Sequence, residues 1–144
     1  MIGIASDHGG YKLKEYLKEE LKKLNYQVVD YGTNIEESVD YPIYAFKLGE
    51  AINEKGINKG ILICTTGIGI SIAANKVKGV RCAKVENVHE AEMSRLHNDA
   101  NVIALRGDNE NALEIVKAFL ETDFLNEERH IRRINQIKEY ENDN

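Results

Sequence analysis

The sequence contains very little cysteine, since Cys64 and Cys82 are the only two among 144 residues. Both lie inside apolar runs, and two thiols cannot build the disulfide framework of a small secreted domain. We therefore expect a cytoplasmic protein in a reducing compartment. Proline is also scarce, with one residue, while 42% of residues are hydrophobic and 30% are charged. Such a composition is globular rather than disordered.

Long apolar runs and an excess of positive charge are missing as well. No stretch reaches the roughly 18 apolar residues of a membrane-spanning helix. The first residues, MIGIASDHGG, have neither the basic start nor the apolar length of a signal peptide. The net charge of -5 argues against general affinity for nucleic acid or anionic membranes. We expect neither as a partner, and any phosphate site must be a local basic cluster.

Short β-type runs alternate with longer segments of helical period along the chain. The runs are residues 2–6, 27–31, 60–64, 80–85 and 101–105. Parallel strands joined by right-handed helical crossovers form an open sheet that is covered on both faces. The alternation therefore predicts an α/β fold, a three-layer, Rossmann-like open parallel sheet of about five strands with helices on both faces. No linker or repeat interrupts the pattern, so we expect residues 1–144 to form one domain.

Two segments have the apolar period of an amphipathic helix. The first helix has a face of leucines: Leu13, Leu17, Leu21 and Leu24. A C-terminal helix is predicted to begin near Asn126, which can cap it, with Glu127 and Glu128 in its first turn. Three isoleucines form the apolar side of this last helix: Ile131, Ile134 and Ile137.

The segment ICTTGIGIS places Cys64 at the carboxyl end of the third strand, before a turn into a helix. Ligands of open α/β sheets bind beyond this edge. Gly67 and Gly69 let backbone amides converge there, and the helix start adds positive potential, which suits an anion or a developing oxyanion. A thiol in this position gains thiolate character. The residues alone leave a second interpretation open, a packed turn with a buried structural cysteine.

The segment SDHGG repeats this arrangement at the end of the first strand. Asp7 and His8 are titratable, and the two glycines that follow open a helix. Because the carboxyl ends of parallel strands meet at one edge, both turns are predicted to lie together. The alternative is that Asp7 merely caps the helix.

Two further segments carry candidate groups. SRLHNDANV places His97 and Asn98 in the loop before the fifth strand, although a surface histidine at the end of a helix is common. In ERHIRRINQI, Arg129 and Arg133 are four residues apart and share a helix face, which suits a phosphate. The alternative for the arginines is a solvated face paired with nearby glutamates.

Motifs for other chemistries are incomplete. Gly67-Ile68-Gly69 could begin a dinucleotide fingerprint, with Glu86 as its acid, but Ile72 stands at the third glycine position. No Gly-x-x-x-x-Gly-Lys or His-Glu-x-x-His pattern occurs. Asn87 and Glu90 are typical of a helix N-cap and its partner. The residues therefore indicate no metal site, and the dinucleotide and P-loop motifs are incomplete.

Six motifs occur in an order that resembles the ribose-5-phosphate isomerase B family over nearly the whole chain. They are SDHGGYKLK, DYP, ICTTGIGISIAANK, GVRCA, EMSRLHNDANV and ERHIRRI. The family also includes galactose-6-phosphate isomerase subunits. The resemblance implies a cofactor-free aldose-ketose isomerase of the pentose phosphate pathway, which interconverts ribose 5-phosphate and ribulose 5-phosphate through a cis-enediolate. Galactose or allose 6-phosphate is the alternative substrate, and a non-catalytic module that binds sugar phosphates or nucleotides is the alternative class.

The resemblance also implies roles for individual residues. Cys64 matches the base that moves a proton between C1 and C2. His97 matches the group that protonates the ring oxygen during opening, assisted by Asp7 and Thr66. The enediolate would be held by Asn98 and the amides of Thr65, Thr66, Gly67, Ile68 and Gly69. The phosphate would be held by His8, Arg129 and Arg133, and Tyr41 would line the sugar pocket.

The family resemblance further implies a homodimer, which can pair again into a tetramer. In it, Cys64 and its loop from one chain face His97 and the basic helix of the other. Two positions depart from the family pattern. Thr65 replaces a glycine, and Asp108 stands where the family tends to have an arginine, with Arg106 two positions earlier. A branch of the family uses a glutamate where this chain has Ile70.

Overall fold

The computed structural model describes residues 1–144 as a parallel sheet with six helices. The strands are β1 (Ile2–Ser6), β2 (Val28–Asp30), β3 (Lys59–Cys64), β4 (Cys82–Lys84) and β5 (Val102–Arg106). The helices are α1 (Tyr11–Lys23), α2 (Tyr41–Glu54), α3 (Ile68–Ala74), α4 (Val88–Leu96), α5 (Ala112–Glu121) and α6 (Glu128–Asp143). All five predicted strands are confirmed, with β2 and β4 shorter than predicted. None of the helices combines the length and the apolar character needed to cross a bilayer.

The strands lie in the order β2-β1-β3-β5-β4, and every neighbouring pair is parallel. This confirms the predicted open sheet. The strand order reverses between β1 and β3, and such a switch point opens a crevice beyond the carboxyl ends of the two strands. Asp7 follows β1 directly, and Cys64 is the last residue of β3. The fold therefore places both sequence-predicted turns at the crevice.

Helices cover both faces of the sheet, as predicted. On one face, α1, α4 and α5 pack on the strands through a core that includes Leu17, Leu21, Ile115 and Phe119. On the other face, α2 and α3 pack through mostly smaller residues, among them Ala45, Leu48, Ile70 and Ala74. Each fully buried leucine or phenylalanine contributes about 1.5–3 kcal/mol. Leu24 was expected on the apolar face of α1, but it is exposed at the end of that helix.

Helix α6 lies across the amino edge of the sheet, opposite the crevice. Glu141 near its end accepts a hydrogen bond from the amide of Gly79, before β4, at 2.9 Å. The predicted cap at Asn126 is wrong: α6 begins at Glu128, and Glu127 is its N-cap residue. An N-cap needs extended backbone, which Glu127 has, whereas Asn126 is left-handed with φ of 56°. Of the three predicted apolar isoleucines, only Ile134 is buried.

Candidate active site

The loop after β3 surrounds a buried thiol. Cys64 is 4% exposed, and the amide of Gly67 donates a hydrogen bond to its Sγ at 3.2 Å. Gly67 has φ of 78°, a left-handed conformation that glycine adopts without strain, and this geometry turns its amide back toward the sulfur. A backbone donor aimed at sulfur stabilises negative charge there. The structure thus places Cys64 where the sequence predicts it.

The second cysteine is in a different environment. Cys82 begins β4, and burial raises the pKa of its thiol to about 12. A thiol with this pKa stays protonated at neutral pH and is a poor nucleophile or base. Cys64 is therefore the only cysteine placed for chemistry.

The turn after β1 packs directly on the loop after β3. Asp7 is buried, and its Oδ1 accepts a hydrogen bond from the amide of Gly9 at 2.9 Å, so it does cap the short 3-10 turn of residues 8–10. A side chain at residue 9 would collide with Thr65, so glycine permits the close approach. The prediction that the two turns meet is confirmed.

His8 is exposed, and its orientation is set by a distant loop. Its Nδ1 accepts a hydrogen bond from the amide of Val39 at 3.1 Å. A ring nitrogen that accepts carries no proton, so the N–H of the neutral ring is on Nε2. His8 therefore presents a donor beside the loop of Cys64.

Fewer than five amides of the predicted cradle are free to bind an anion. The amide of Gly67 binds Sγ, and that of Ile68 donates to Oγ1 of Thr66 at 3.1 Å. The amides of Thr65, Thr66 and Gly69 remain for an anion. Thr65 does not have a positive φ, so the threonine that replaces the family's glycine fits the loop without backbone strain.

Tyr41 is the first residue of α2 and lies against this cradle. A Cβ on Gly69 would stand 2.7 Å from its Cζ, so the ring packs directly on the backbone of the loop. The ring remains 38% exposed. The structure thus brings Tyr41 to the loop of Cys64.

A buried ion pair anchors the neighbouring backbone. Lys14 is fully buried, and its Nζ lies 2.6 Å from Oδ2 of Asp30. Burial alone would raise the pKa of Asp30, but the hydrogen bonds from Lys14 and Lys18 outweigh it and lower that pKa. Asp30 also accepts from the amide of Gly32, whose carbonyl accepts from the amide of Ser6 at 2.7 Å. The pair thereby holds the residue that precedes Asp7.

Arg106 is a further cation at this edge that sequence reasoning did not assign to the site. It is the register partner of Cys64, so both side chains leave the same face of the sheet. Its Nε lies 3.0 Å from Oε2 of Glu86 and 3.8 Å from Oδ1 of Asp108. A hydrogen bond from Lys84, with the charge of Arg106, lowers the pKa of Glu86. Although Asp108 replaces the family's arginine, a cation is still present at this edge, two residues earlier.

His97 and Asn98 lie at the amino edge instead. His97 follows α4 as its C-cap residue, and Asn98 is exposed in the loop before β5. Arg81 donates to the carbonyls of Asn98 and Asp99, at 3.2 and 2.8 Å. Arg95 donates to the carboxylate of Asp99 at 2.7 Å. The guanidiniums of Arg81, just before β4, and of Arg95, on α4, therefore fix the loop that presents His97 and Asn98.

The two predicted phosphate arginines share one exposed face of α6. Arg129 pairs with Glu127 at 2.9 Å, in line with the alternative of a solvated face. Arg133 forms no ion pair and lines a groove of about 810 Å³ that also contains Lys76 and Lys78. Arg133 and the two lysines thus form a local basic cluster at this groove.

The candidate residues thus form two groups at opposite edges of the sheet. The carboxyl edge carries Asp7, His8, Tyr41, Cys64, Thr65, Thr66, Gly67, Ile68 and Gly69, and the amino edge carries His97, Asn98, Arg129 and Arg133. Strand β5 has five residues between these edges, which is about 16 Å at the usual rise per residue. One chain therefore does not bring Cys64 and His97 together. No three histidine, cysteine, aspartate or glutamate side chains are grouped to hold a metal ion.

The crevice at the switch point contains a thiol, a cradle of amides and a histidine donor. This arrangement is typical of α/β enzymes that bind a small anion beyond the ends of their strands. A family model described as Ribose/Galactose Isomerase matches residues 2–137, and the chain belongs to this family.

Relatives named ribose-5-phosphate isomerase B agree with this assignment. A Clostridium thermocellum ribose-5-phosphate isomerase B structure has 48% identity and a TM-score of 0.95, covering 99% of this chain and 97% of that one. A Mycoplasma genitalium ribose-5-phosphate isomerase B, solved with bound ribulose 5-phosphate, has 40% identity and a TM-score of 0.93, covering 99% and 97%. The ribose-5-phosphate isomerase B of Escherichia coli is 40% identical over 120 residues, which are 83% of this chain and 80% of that protein.

Proposed function

We propose that the chain is an aldose-ketose isomerase that interconverts ribose 5-phosphate and ribulose 5-phosphate. The observation that carries the proposal is the hydrogen bond from the amide of Gly67 to Sγ of Cys64, beside free amides at the switch point. The names of the relatives and the ribulose 5-phosphate complex of the Mycoplasma protein support the choice of substrate. The reaction is assigned to Cys64, Thr66, Asp7 and His97 and requires no cofactor. The free state of Cys64 suits the cytoplasm.

The proposed chemistry is a proton transfer through an enediolate. The thiolate of Cys64 removes the proton from C2 of the open-chain aldose, and the electron pair moves onto O1. The amides of Thr65, Thr66 and Gly69 then stabilise the oxyanion as it forms, which is where such donors act most strongly. A proton passes from O2 to O1 of this intermediate, and the protonated thiol returns its own proton to C1, which gives the ketose and regenerates the thiolate.

A second copy of the chain completes the proposed site. Ribose 5-phosphate is a closed ring, so an acid must protonate its ring oxygen before isomerisation, and His97 is the candidate. Because His97 and Cys64 of one chain lie at opposite edges, His97, Asn98 and the arginines must reach the cradle from a partner. Exposed apolar side chains on α2 and α3, which include Ile43, Phe46, Ile68 and Ile72, offer a surface for that partner. A closed two-fold homodimer then contains two equivalent sites.

Arg133 is expected to bind the substrate phosphate. Arg133→Ala should raise KM for the phosphorylated sugar by roughly 10- to 100-fold, which corresponds to one charge-assisted hydrogen bond, and change kcat much less. Arg132→Ala is the matched control, because Arg132 is adjacent on α6 but pairs with Glu128 at 2.6 Å. Equal KM values for wild type and Arg133→Ala would show that Arg133 belongs to a solvated face and does not bind the phosphate.

The proposed function is tested by a turnover assay of the purified protein. Ribose 5-phosphate, ribulose 5-phosphate, allose 6-phosphate and galactose 6-phosphate are compared, each with added divalent metal and with chelator. We expect the highest kcat/KM for the pentose pair and no effect of the chelator. Preference for a hexose phosphate would assign that sugar as the substrate instead. Tight binding of sugar phosphates without turnover would show a binding module instead.

A further inference from the structure

His130 is a buried histidine that the proposed reaction does not use. It lies in the first turn of α6, next to Arg129, and is 6% exposed. Its ring stacks on that of His97, with ring centroids 4.4 Å apart and an angle of 15° between the planes. The contact joins two elements that are distant in sequence, the end of α4 and the start of α6. The imidazole of His97 therefore rests on a flat, buried surface.

The buried ring is held in its neutral form. Its Nε2 is buried and has no hydrogen-bond partner, so a proton there would be left unsatisfied. Burial lowers the pKa of His130, and the positive charges of His97, Arg129 and Arg133 lower it further, against the opposing charge of Glu127. A neutral ring can support a protonated His97, whereas two stacked imidazolium ions would repel each other.

We propose that His130 is a positioning residue for His97: its stacked, buried ring fixes the orientation in which His97 meets the substrate. This inference rests on the proposed function, because it takes His97 as the acid of ring opening. His130 itself does not contact the reacting atoms. A misplacement of about 1 Å can cost on the order of 100-fold in rate, so an aromatic support directly under an acid has a large effect.

Two substitutions separate the flat face from the nitrogen atoms. His130→Phe keeps an aromatic surface, and His130→Leu keeps only apolar volume. For conversion of ribose 5-phosphate, we expect His130→Leu to lower kcat about tenfold or more with KM within about twofold, and His130→Phe to stay within about threefold of wild type. Arg132→Ala, on the exposed side of the same helix, is the control and should change neither value.

Proton NMR of the His97 ring provides a readout that does not depend on activity. Stacking should shift the His97 ring protons upfield in the wild type and in His130→Phe, and the shift should be lost in His130→Leu. A folded His130→Leu variant with kcat within twofold of wild type would overturn the inference. So would a folded His130→Phe variant with a tenfold loss, because the nitrogens would then matter. If His130→Leu does not fold, the phenylalanine variant and the wild-type spectrum still decide.

The outcomes also distinguish this inference from the proposed function. Absence of turnover by the wild type, or full turnover by His97→Asn, overturns the proposed reaction or the role of His97. Activity in the wild type, its loss in His97→Asn, and no effect in His130→Leu overturn the role of His130 alone.

Discussion

Cys64→Ala should abolish isomerisation while the protein stays folded. General bases contribute roughly 100- to 10,000-fold to such reactions, so we expect kcat to fall by at least this much and KM to change little. The substitution removes one sulfur atom beside the crevice, and the remaining side chain fits the loop. Turnover is measured with ribose 5-phosphate, and deuterium incorporation from heavy water into the ketose reports proton transfer directly.

Cys82→Ala is the control for this prediction. Cys82 lies in β4 with a thiol that stays protonated, since burial raises its pKa to about 12. Its loss should lower Tm by removing packing and leave kcat near the wild-type value. Near-normal turnover by Cys64→Ala, with deuterium exchange intact, would remove Cys64 as the base.

His97→Asn should separate ring opening from proton transfer. Ribose 5-phosphate is a ring, whereas ribulose 5-phosphate is an open chain because its C5 oxygen carries the phosphate. Without the acid at residue 97, conversion of the aldose should fall by roughly 100-fold or more. Exchange of the C1 proton of ribulose 5-phosphate with heavy water should persist, because it needs only Cys64 and the amides.

The comparison of these two rates is the measurement. A His97→Asn variant that loses conversion and exchange equally would show that His97 acts in the proton transfer itself. A variant that keeps both conversion and exchange would show that His97 has no role in the reaction. Cys64→Ala is the matched reference, since it should lose both.

The sequence predicts the sheet and the carboxyl edge well, because both follow from local patterns. The alternation of β-type and helical segments predicts parallel strands through general rules of chain connection. All five strands and their parallel pairing are as predicted. Cys64, Asp7 and His8 directly follow or end strands, so their common edge follows from the fold class. The resemblance to the family adds the roles of these residues.

Other parts of the site depend on contacts between distant segments. The stack of His130 on His97 joins residues 33 positions apart in the sequence, and no spacing rule predicts it. The buried Lys14 had a local signal, since it is three and seven residues before the buried Leu17 and Leu21, on the face toward the sheet. The wrong cap at Asn126 has another cause, because capping depends on backbone conformation as well as on residue type.

Mixing two inactive variants tests the shared site most directly. Cys64→Ala and His97→Asn subunits are combined, and subunit exchange is checked with a tag on one variant. In a mixed dimer, one site carries both lesions and the other carries neither, so a statistical mixture should regain roughly a quarter of wild-type activity by counting on two-fold symmetry. Demonstrated exchange with no return of activity would place Cys64 and His97 in one site of a single chain and contradict the account.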